Sequence, residues 1–200
     1  MQELTRAQQE YFNSSKIRDE QGKLMILYHG SKSVDDFDTF ANIKTEPGYW
    51  FTADKEYAQG HGDNVVTCYL NVKNPWNLDD PAVNLVAEVK KCYPGMDLST
   101  WDDKIVFSKQ FGEHLKRQGY DGMMWTHSGE WTVVAFEPNQ IKSIDNLYPT
   151  KSDNFKDNSQ EYLKEHLKDM SMEECMKLTK YIKEHSPKET KDRNVKDKER

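Results

Sequence analysis

Cysteine is scarce in this chain, with Cys68, Cys92 and Cys175 the three present among 200 residues. Their odd number and wide spacing argue against a disulfide framework, and no C-x-x-C pair is available to begin a zinc site. His-x-x-x-His and His-Glu-x-x-His are also missing, so a zinc hydrolase has no support. We therefore predict a protein of a reducing compartment that holds no metal ion.

Excess positive charge and long apolar segments are missing as well. The formal net charge is −6, whereas proteins that bind nucleic-acid phosphates usually carry a basic patch. The first ten residues, MQELTRAQQE, are polar and unlike a signal peptide. No apolar run reaches the roughly 18 residues that a membrane span needs. The sequence thus predicts a cytoplasmic protein, in its own cell or in a host, without a nucleic-acid or membrane partner; it leaves the oligomeric state open.

Apolar residues make up 36% of the chain, less than the roughly 45–50% of a typical globular domain. Part of this deficit lies in residues 187–200, where Val195 is the one aliphatic side chain besides proline. We predict a main domain over residues 1–150, a helical appendix over 151–186 and a charged, disordered tail over 187–200.

Short strands and helices are mixed along the main domain without regular β-α-β alternation. Hydrophobic patterns predict strands over 24–28, 49–52, 65–72, 120–125, 131–136 and 141–144. They predict helices over 5–12, 81–92 and 104–118, followed in the appendix by helices over 159–169 and 172–185. This organisation is typical of the α+β class.

Three segments at element ends combine residue types that can carry chemistry. They are Tyr28-His29-Gly30-Ser31, then Gly48-Tyr49-Trp50-Phe51-Thr52 with Tyr57 and Ala58 behind it, and Gly129-Glu130-Trp131-Thr132. Taken alone, each has an ordinary interpretation, because strand-end histidines and glutamates usually face solvent and aromatic clusters usually fill cores. Their order and spacing make the functional interpretation the stronger one.

These segments resemble the ADP-ribosyltransferase superfamily, in particular the branch found in phage and mobile-element polyvalent proteins. The resemblance covers about residues 5 to 145. It rests on five stretches: EYFNSSKIRDEQGKLMILYHGS, GYWFTADKEYA, YLNVKNPWNLD, GYDGMMW and GEWTVVAFEPNQIKS. It implies an ADP-ribosyltransferase-like fold, in which a split mixed β-sheet is flanked by helices.

The resemblance also implies a His-Tyr-Glu triad that acts on NAD as co-substrate. His29 and Glu130 match the triad His and Glu, while Trp50 stands where the family has Tyr. The implied NAD-binding residues are His29, Gly30, Ser31, Trp50, Phe51 and Tyr57. In this interpretation Glu130 binds the 2′-hydroxyl of the nicotinamide ribose and stabilises a cationic transition state, as in glycoside hydrolysis.

The function implied is transfer of ADP-ribose from NAD to a protein acceptor with release of nicotinamide, in conflict between a mobile element and its host or competitors. Two alternatives remain: an NAD glycohydrolase with water as acceptor, and an inactive module that binds NAD or ADP-ribose. Related arginine-directed enzymes carry Glu or Gln two positions before the catalytic Glu, where this chain has Ser128. That type of arginine specificity therefore has no support in the sequence.

Overall fold

A computed structural model describes residues 3–33, 37–41, 45–97, 103–157 and 170–185. Contacts between residues divide the chain into a first unit, Met1–Gln160, and a second unit, Glu161–Arg200. Across the described ranges, no helix combines the length and the apolar character that crossing a membrane requires.

The first unit contains one seven-stranded sheet. In chain order its strands are β1 Leu27–Ser31, β2 Tyr49–Thr52, β3 Asn64–Leu70, β4 Pro75–Asn77, β5 Gly122–His127, β6 Glu130–Ala135 and β7 Ile141–Ser143. In space they follow the order β4-β5-β6-β2-β1-β3-β7. Strands β4 and β5 run parallel, and the other neighbouring pairs are antiparallel. This mixed sheet with flanking helices confirms the predicted α+β class.

Four described helices accompany the sheet and one belongs to the second unit. They are α1 Arg6–Tyr11, α2 Lys55–Gln59, α3 Leu85–Cys92, α4 Lys109–Arg117 and, in the second unit, α5 Met172–His185. Helices α3 and α4 start later than the sequence predicts because side chains cap them further along. Asn84 accepts a hydrogen bond from the Ala87 N–H, and Ser108 accepts one from the Phe111 N–H.

Apolar side chains form a core on each face of the sheet. Alternation along β6 sends Val133 into one cluster with Phe51 and Leu70, and sends its neighbour Val134 into the other. The second cluster also holds Phe111 of α4, together with Trp76, Val89, Val106, Leu115, Met123 and Phe136. Burying each such large side chain contributes roughly 1.5–3 kcal/mol, so both faces anchor the strands that form the site.

Two strands differ most from the sequence prediction. Strand β1 begins at Leu27 and includes His29, Gly30 and Ser31, because these residues pair with Val66, Val65 and Asn64 of β3. Strand β4 was missed, because Pro75 was interpreted as the end of the preceding strand. Pro75 is instead the first residue of a short strand at the sheet edge, a position that proline tolerates.

In the second unit, helix α5 confirms the helix predicted over 172–185. Ser171 and Glu174 form a capping box at its start: the Ser171 hydroxyl accepts from the Glu174 N–H, and the Glu174 carboxylate accepts from the Ser171 N–H. The predicted helix over 159–169 and the tail over 187–200 lie outside the described residues.

Candidate active site

A cleft of about 1010 Å³ opens on one face of the sheet. Its floor is a row of four side chains across β1, β2, β6 and β5, namely Tyr28, Thr52, Thr132 and Trp125. The strand register pairs Tyr28 with Thr52, Thr52 with Thr132, and Thr132 with Trp125. Directly paired residues point to the same side of a sheet. The floor is therefore fixed by strand pairing and not by loops.

Helix α2 forms one wall of the cleft. The Asp54 carboxylate accepts hydrogen bonds from the N–H groups of Glu56 and Tyr57, which starts the helix directly after β2. Tyr57 lines the cleft and remains 49% exposed. Behind it, a Cβ atom on Gly30 would lie 1.8 Å from the Ala58 carbonyl oxygen. Only glycine allows α2 to approach β1 this closely.

The opposite wall is apolar and comes from segments that precede α3 and α4. Leu78, Leu85, Val106 and Phe107 line it. Asp79 lies beside them, and its carboxylate accepts a hydrogen bond of 2.6 Å from the Thr126 N–H. That bond fixes this wall to the end of β5.

Strands β1 and β2 separate within the cleft. They pair at one position, Tyr28 with Thr52, although the same register would bring Gly30 opposite Trp50. The Trp50 carbonyl instead accepts a hydrogen bond of 2.8 Å from Nδ1 of His29. Because backbone polar groups alternate sides along a strand, those of Gly30 point toward β2, as those of Tyr28 do. Because the imidazole takes the Trp50 carbonyl, the backbone N–H and C=O of Gly30 face a gap between β1 and β2.

The His29 ring is held between aromatic side chains. Its centroid lies 5.1 Å from that of Phe40 and 5.5 Å from that of Phe51. Burial lowers the pKa of His29 below its ordinary 6.5, although the Trp50 carbonyl and the charge of Glu46 act in the opposite direction. A neutral ring that donates through Nδ1 has Nε2 as a hydrogen-bond acceptor.

Glu130 opens β6 at the rim of the cleft. A two-residue turn with positive φ angles, 53° at Ser128 and 87° at Gly129, joins β5 to β6, and His127 pairs with Glu130 across it. Glu130 is exposed and lies two residues before Thr132 on the same strand. Strand alternation therefore directs its side chain to the face of the sheet that carries the cleft.

Comparison with known families decides the assignment. The sequence profile of the family described as ADP-ribosyltransferase in polyvalent proteins matches residues 19–151.

The chain belongs to this ADP-ribosyltransferase family.

The curated proteins contain no match to the chain. Among solved structures, one described as the crystal structure of an anti-CRISPR protein aligns with 17% sequence identity and a TM-score of 0.40, covering 56% of this chain and 88% of that one. The family as such uses NAD as co-substrate. Among the residues that the structure describes, no group of three or more His, Cys, Asp or Glu side chains is arranged to hold a metal ion.

The structure brings most of the residues named from the family resemblance into one cleft. Its lining includes His29, Gly30, Ser31, Trp50, Phe51 and Tyr57. Glu130 is not part of that lining and stands at the rim, separated from the strand of His29 by β2. Phe51 is 2% exposed and belongs mainly to the first core cluster.

Trp50, the departure from the Tyr of this transferase family, is packed among other rings. Its centroid lies 5.1 Å from Phe107 and 5.5 Å from Trp125, both at steep angles. Its Nε1 atom is buried and has no hydrogen-bond partner among the described residues. The indole thus fills the space between the floor and the apolar wall, while Tyr57 keeps an open face.

Sequence reasoning missed several residues of this cleft. Thr52, Thr132 and Trp125 form most of the floor. His61 and His127 also line the cleft, and both rings lie close to the ring of Tyr57. The floor residues became visible only with the strand register. The sequence could have pointed to His127, because it lies three residues before Glu130 across a Ser-Gly turn.

Proposed function

We propose that the cleft binds NAD and that the protein transfers its ADP-ribose to a protein acceptor, releasing nicotinamide. The observation that carries this proposal is the gap between β1 and β2, where the backbone of Gly30 faces β2 in a cleft that the open ring of Tyr57 also lines. A flat amide fits such a place, because the backbone supplies a donor and an acceptor. Tyr57 supplies an aromatic surface for stacking.

His29 fixes the sugar side of NAD in this proposal. Its Nδ1–H is committed to the Trp50 carbonyl, and its lowered pKa keeps the ring neutral at pH 7. Nε2 then accepts a hydrogen bond from a ribose hydroxyl. Protonation at acidic pH would convert this acceptor into a donor, so the orientation of the sugar depends on the neutral ring.

Glu130 stabilises the charge that develops on the nicotinamide ribose. Nicotinamide is a good leaving group, so cleavage needs a rigidly held ring and an anion close to the sugar more than a strong acid. The carboxylate lies on the cleft side of the sheet, because Glu130 is two residues before the floor residue Thr132 on the same strand. From there it accepts a hydrogen bond from the 2′-hydroxyl and faces the oxocarbenium-like transition state.

The test is incubation of the protein with NAD that carries a label in its adenylate part, in buffer and in a cell lysate. Label on a protein, with a mass addition of one ADP-ribose by mass spectrometry, supports transfer. Free ADP-ribose alone, with no label on protein in either sample, indicates an NAD glycohydrolase. Binding of NAD with unchanged nicotinamide after long incubation indicates an inactive binding module. We propose that the acceptor belongs to the cytoplasmic machinery of a host or competitor, which predicts labelling in some lysates and not in others.

A further inference from the structure

The β5–β6 hairpin places a second functional group beside Glu130. His127 is the strand partner of Glu130, separated from it by the turn residues Ser128 and Gly129. Paired residues have Cβ atoms about 4.5–5.5 Å apart on the same face of the sheet. Since His127 itself lines the cleft, the carboxylate and the imidazole stand side by side at its mouth.

His127 also lies near the wall formed by α2. Its ring centroid lies 6.1 Å from that of Tyr57 on α2, the ring that we place against nicotinamide. The groups that face His127 are Glu130 on β6 and Tyr57 on α2, with His61 behind Tyr57 at 5.0 Å. On its own strand, the neighbouring Thr126 N–H is held by Asp79.

We propose that His127 removes the proton from the acceptor as it attacks the ribose, an inference that rests on the proposed function. The acceptor oxygen or nitrogen forms a bond to C1″ of the nicotinamide ribose, and the C1″–N1 bond breaks. The electron pair of that bond leaves with nicotinamide, whose ring nitrogen becomes neutral. The acceptor proton passes to a ring nitrogen of neutral His127 and then to solvent. An imidazole suits this step because it changes charge near neutral pH.

The experiment compares two nucleophiles, water and azide, with the wild-type protein and with His127→Gln. Azide carries no proton and needs no base, whereas water must lose one. We expect His127→Gln to lower the rate of ADP-ribose formation from NAD on the order of 10²-fold. The same variant should form ADP-ribosyl azide at close to the wild-type rate. Both products are separated from NAD by liquid chromatography.

A control substitution separates a role in proton removal from the general effect of losing a histidine. His114→Gln serves as the matched control, because His114 lies on α4 and is not part of the cleft lining. It should keep the wild-type rates with both water and azide.

Each contrary result has its own meaning. If His127→Gln hydrolyses NAD as fast as the wild type, or loses the azide product to the same degree as the water product, His127 does not act as the base. If the wild type cleaves NAD with neither nucleophile, the proposed function itself is wrong and this inference is overturned with it.

Discussion

Glu130 has an exposed side chain on a backbone that is held in a strand. Its role can therefore be tested by a substitution that leaves the fold intact. The side chain is solvent-exposed at the start of β6, and its backbone is held by pairing with His127. Glu130→Gln keeps the shape and removes the charge that we place next to the cationic sugar. We expect NAD cleavage to fall at least on the order of 10²–10³-fold, measured as nicotinamide release.

The thermal midpoint of Glu130→Gln should stay within about a degree of the wild type, because surface substitutions usually change stability by less than about 0.5 kcal/mol. Glu113→Gln, another carboxylate outside the cleft lining, is the matched control and should keep full activity. Wild-type turnover by Glu130→Gln would contradict the assignment of this carboxylate.

Trp50 tests what the family tyrosine contributes. The indole packs at steep angles against Phe107 and Trp125, and its buried Nε1–H lacks a partner among the described residues. Such an unsatisfied donor costs roughly 1–3 kcal/mol. Trp50→Tyr removes it and restores the ring type of the family, so we expect nicotinamide release to be kept or raised.

Steady-state kinetics on Trp50→Tyr, with NAD as the varied substrate, checks this expectation. Trp50→Ala is the comparison, because it removes the ring altogether and opens the wall against Phe107. Loss of activity in Trp50→Tyr with an intact fold would mean that the indole contributes something other than an aromatic surface.

At the scale of the elements, the contact between β1 and α2 decides the shape of the gap. A methyl group on Gly30 would meet the Ala58 carbonyl oxygen at 1.8 Å, so Gly30→Ala must push the helix away from the strand. Overpacking of this kind typically costs about 1–3 kcal/mol. It also displaces Tyr57, which lies on α2. We expect a lower thermal midpoint together with weaker NAD binding by calorimetry.

Gly60→Ala provides the comparison for the same chemical change. Gly60 caps α2 with helical angles, φ −61° and ψ −20°, and an added Cβ would lie 3.2 Å from the Tyr57 carbonyl oxygen. Its effect on both measurements should be much smaller. Equal behaviour of the two variants would show that the close approach at Gly30 does not control the cleft.

The elements also show which features a single sequence can predict. A short aromatic run located β2 at its observed bounds, and the β-branched run located β3 to within two residues. Strand β1 was placed three residues too early, because its end is set by pairing with β3 and not by its apolar run. Strand β4 gave no local signal in three residues that begin with proline. The floor row, built from four strands, follows from register and could not be predicted from periodicity.

At the scale of the whole first unit, Lys142 links the last strand of the sheet to the segment that follows it. Its side chain is 0% exposed, and its Nζ donates hydrogen bonds to the carbonyl oxygens of Ser152 and Asn154. Phe155 of the same segment is buried in the first core cluster. The buried amine thus joins residues 152–155 to β7 and helps to close the core.

Because Lys142 is buried, the stability of the protein changes with pH in the alkaline range. Burial lowers the pKa of Lys142 from its ordinary 10.5 to about 8 in the folded protein, although Asp157 and Asp153 act in the opposite direction. Between pH 8 and 10.5 the unfolded chain therefore binds more protons than the folded protein, and the contribution of Lys142 to the free energy of unfolding rises with pH. Below pH 8 both states are protonated and this contribution is lost.

Urea unfolding of the wild type and of Lys142→Met across pH 7 to pH 10.5 measures the effect. Other groups with altered pKa, such as Tyr11, whose pKa burial raises to about 12, are present in both proteins and largely cancel in the difference. The free energy of unfolding of the wild type minus that of Lys142→Met should therefore increase by at most about 3 kcal/mol over this range. This limit follows from the roughly 1.36 kcal/mol that each unit of pKa difference represents. The neutral amine keeps two N–H donors for the two carbonyls, so deprotonation need not break the link. A difference independent of pH would show that Lys142 has the same pKa folded and unfolded, and that its charge reaches solvent.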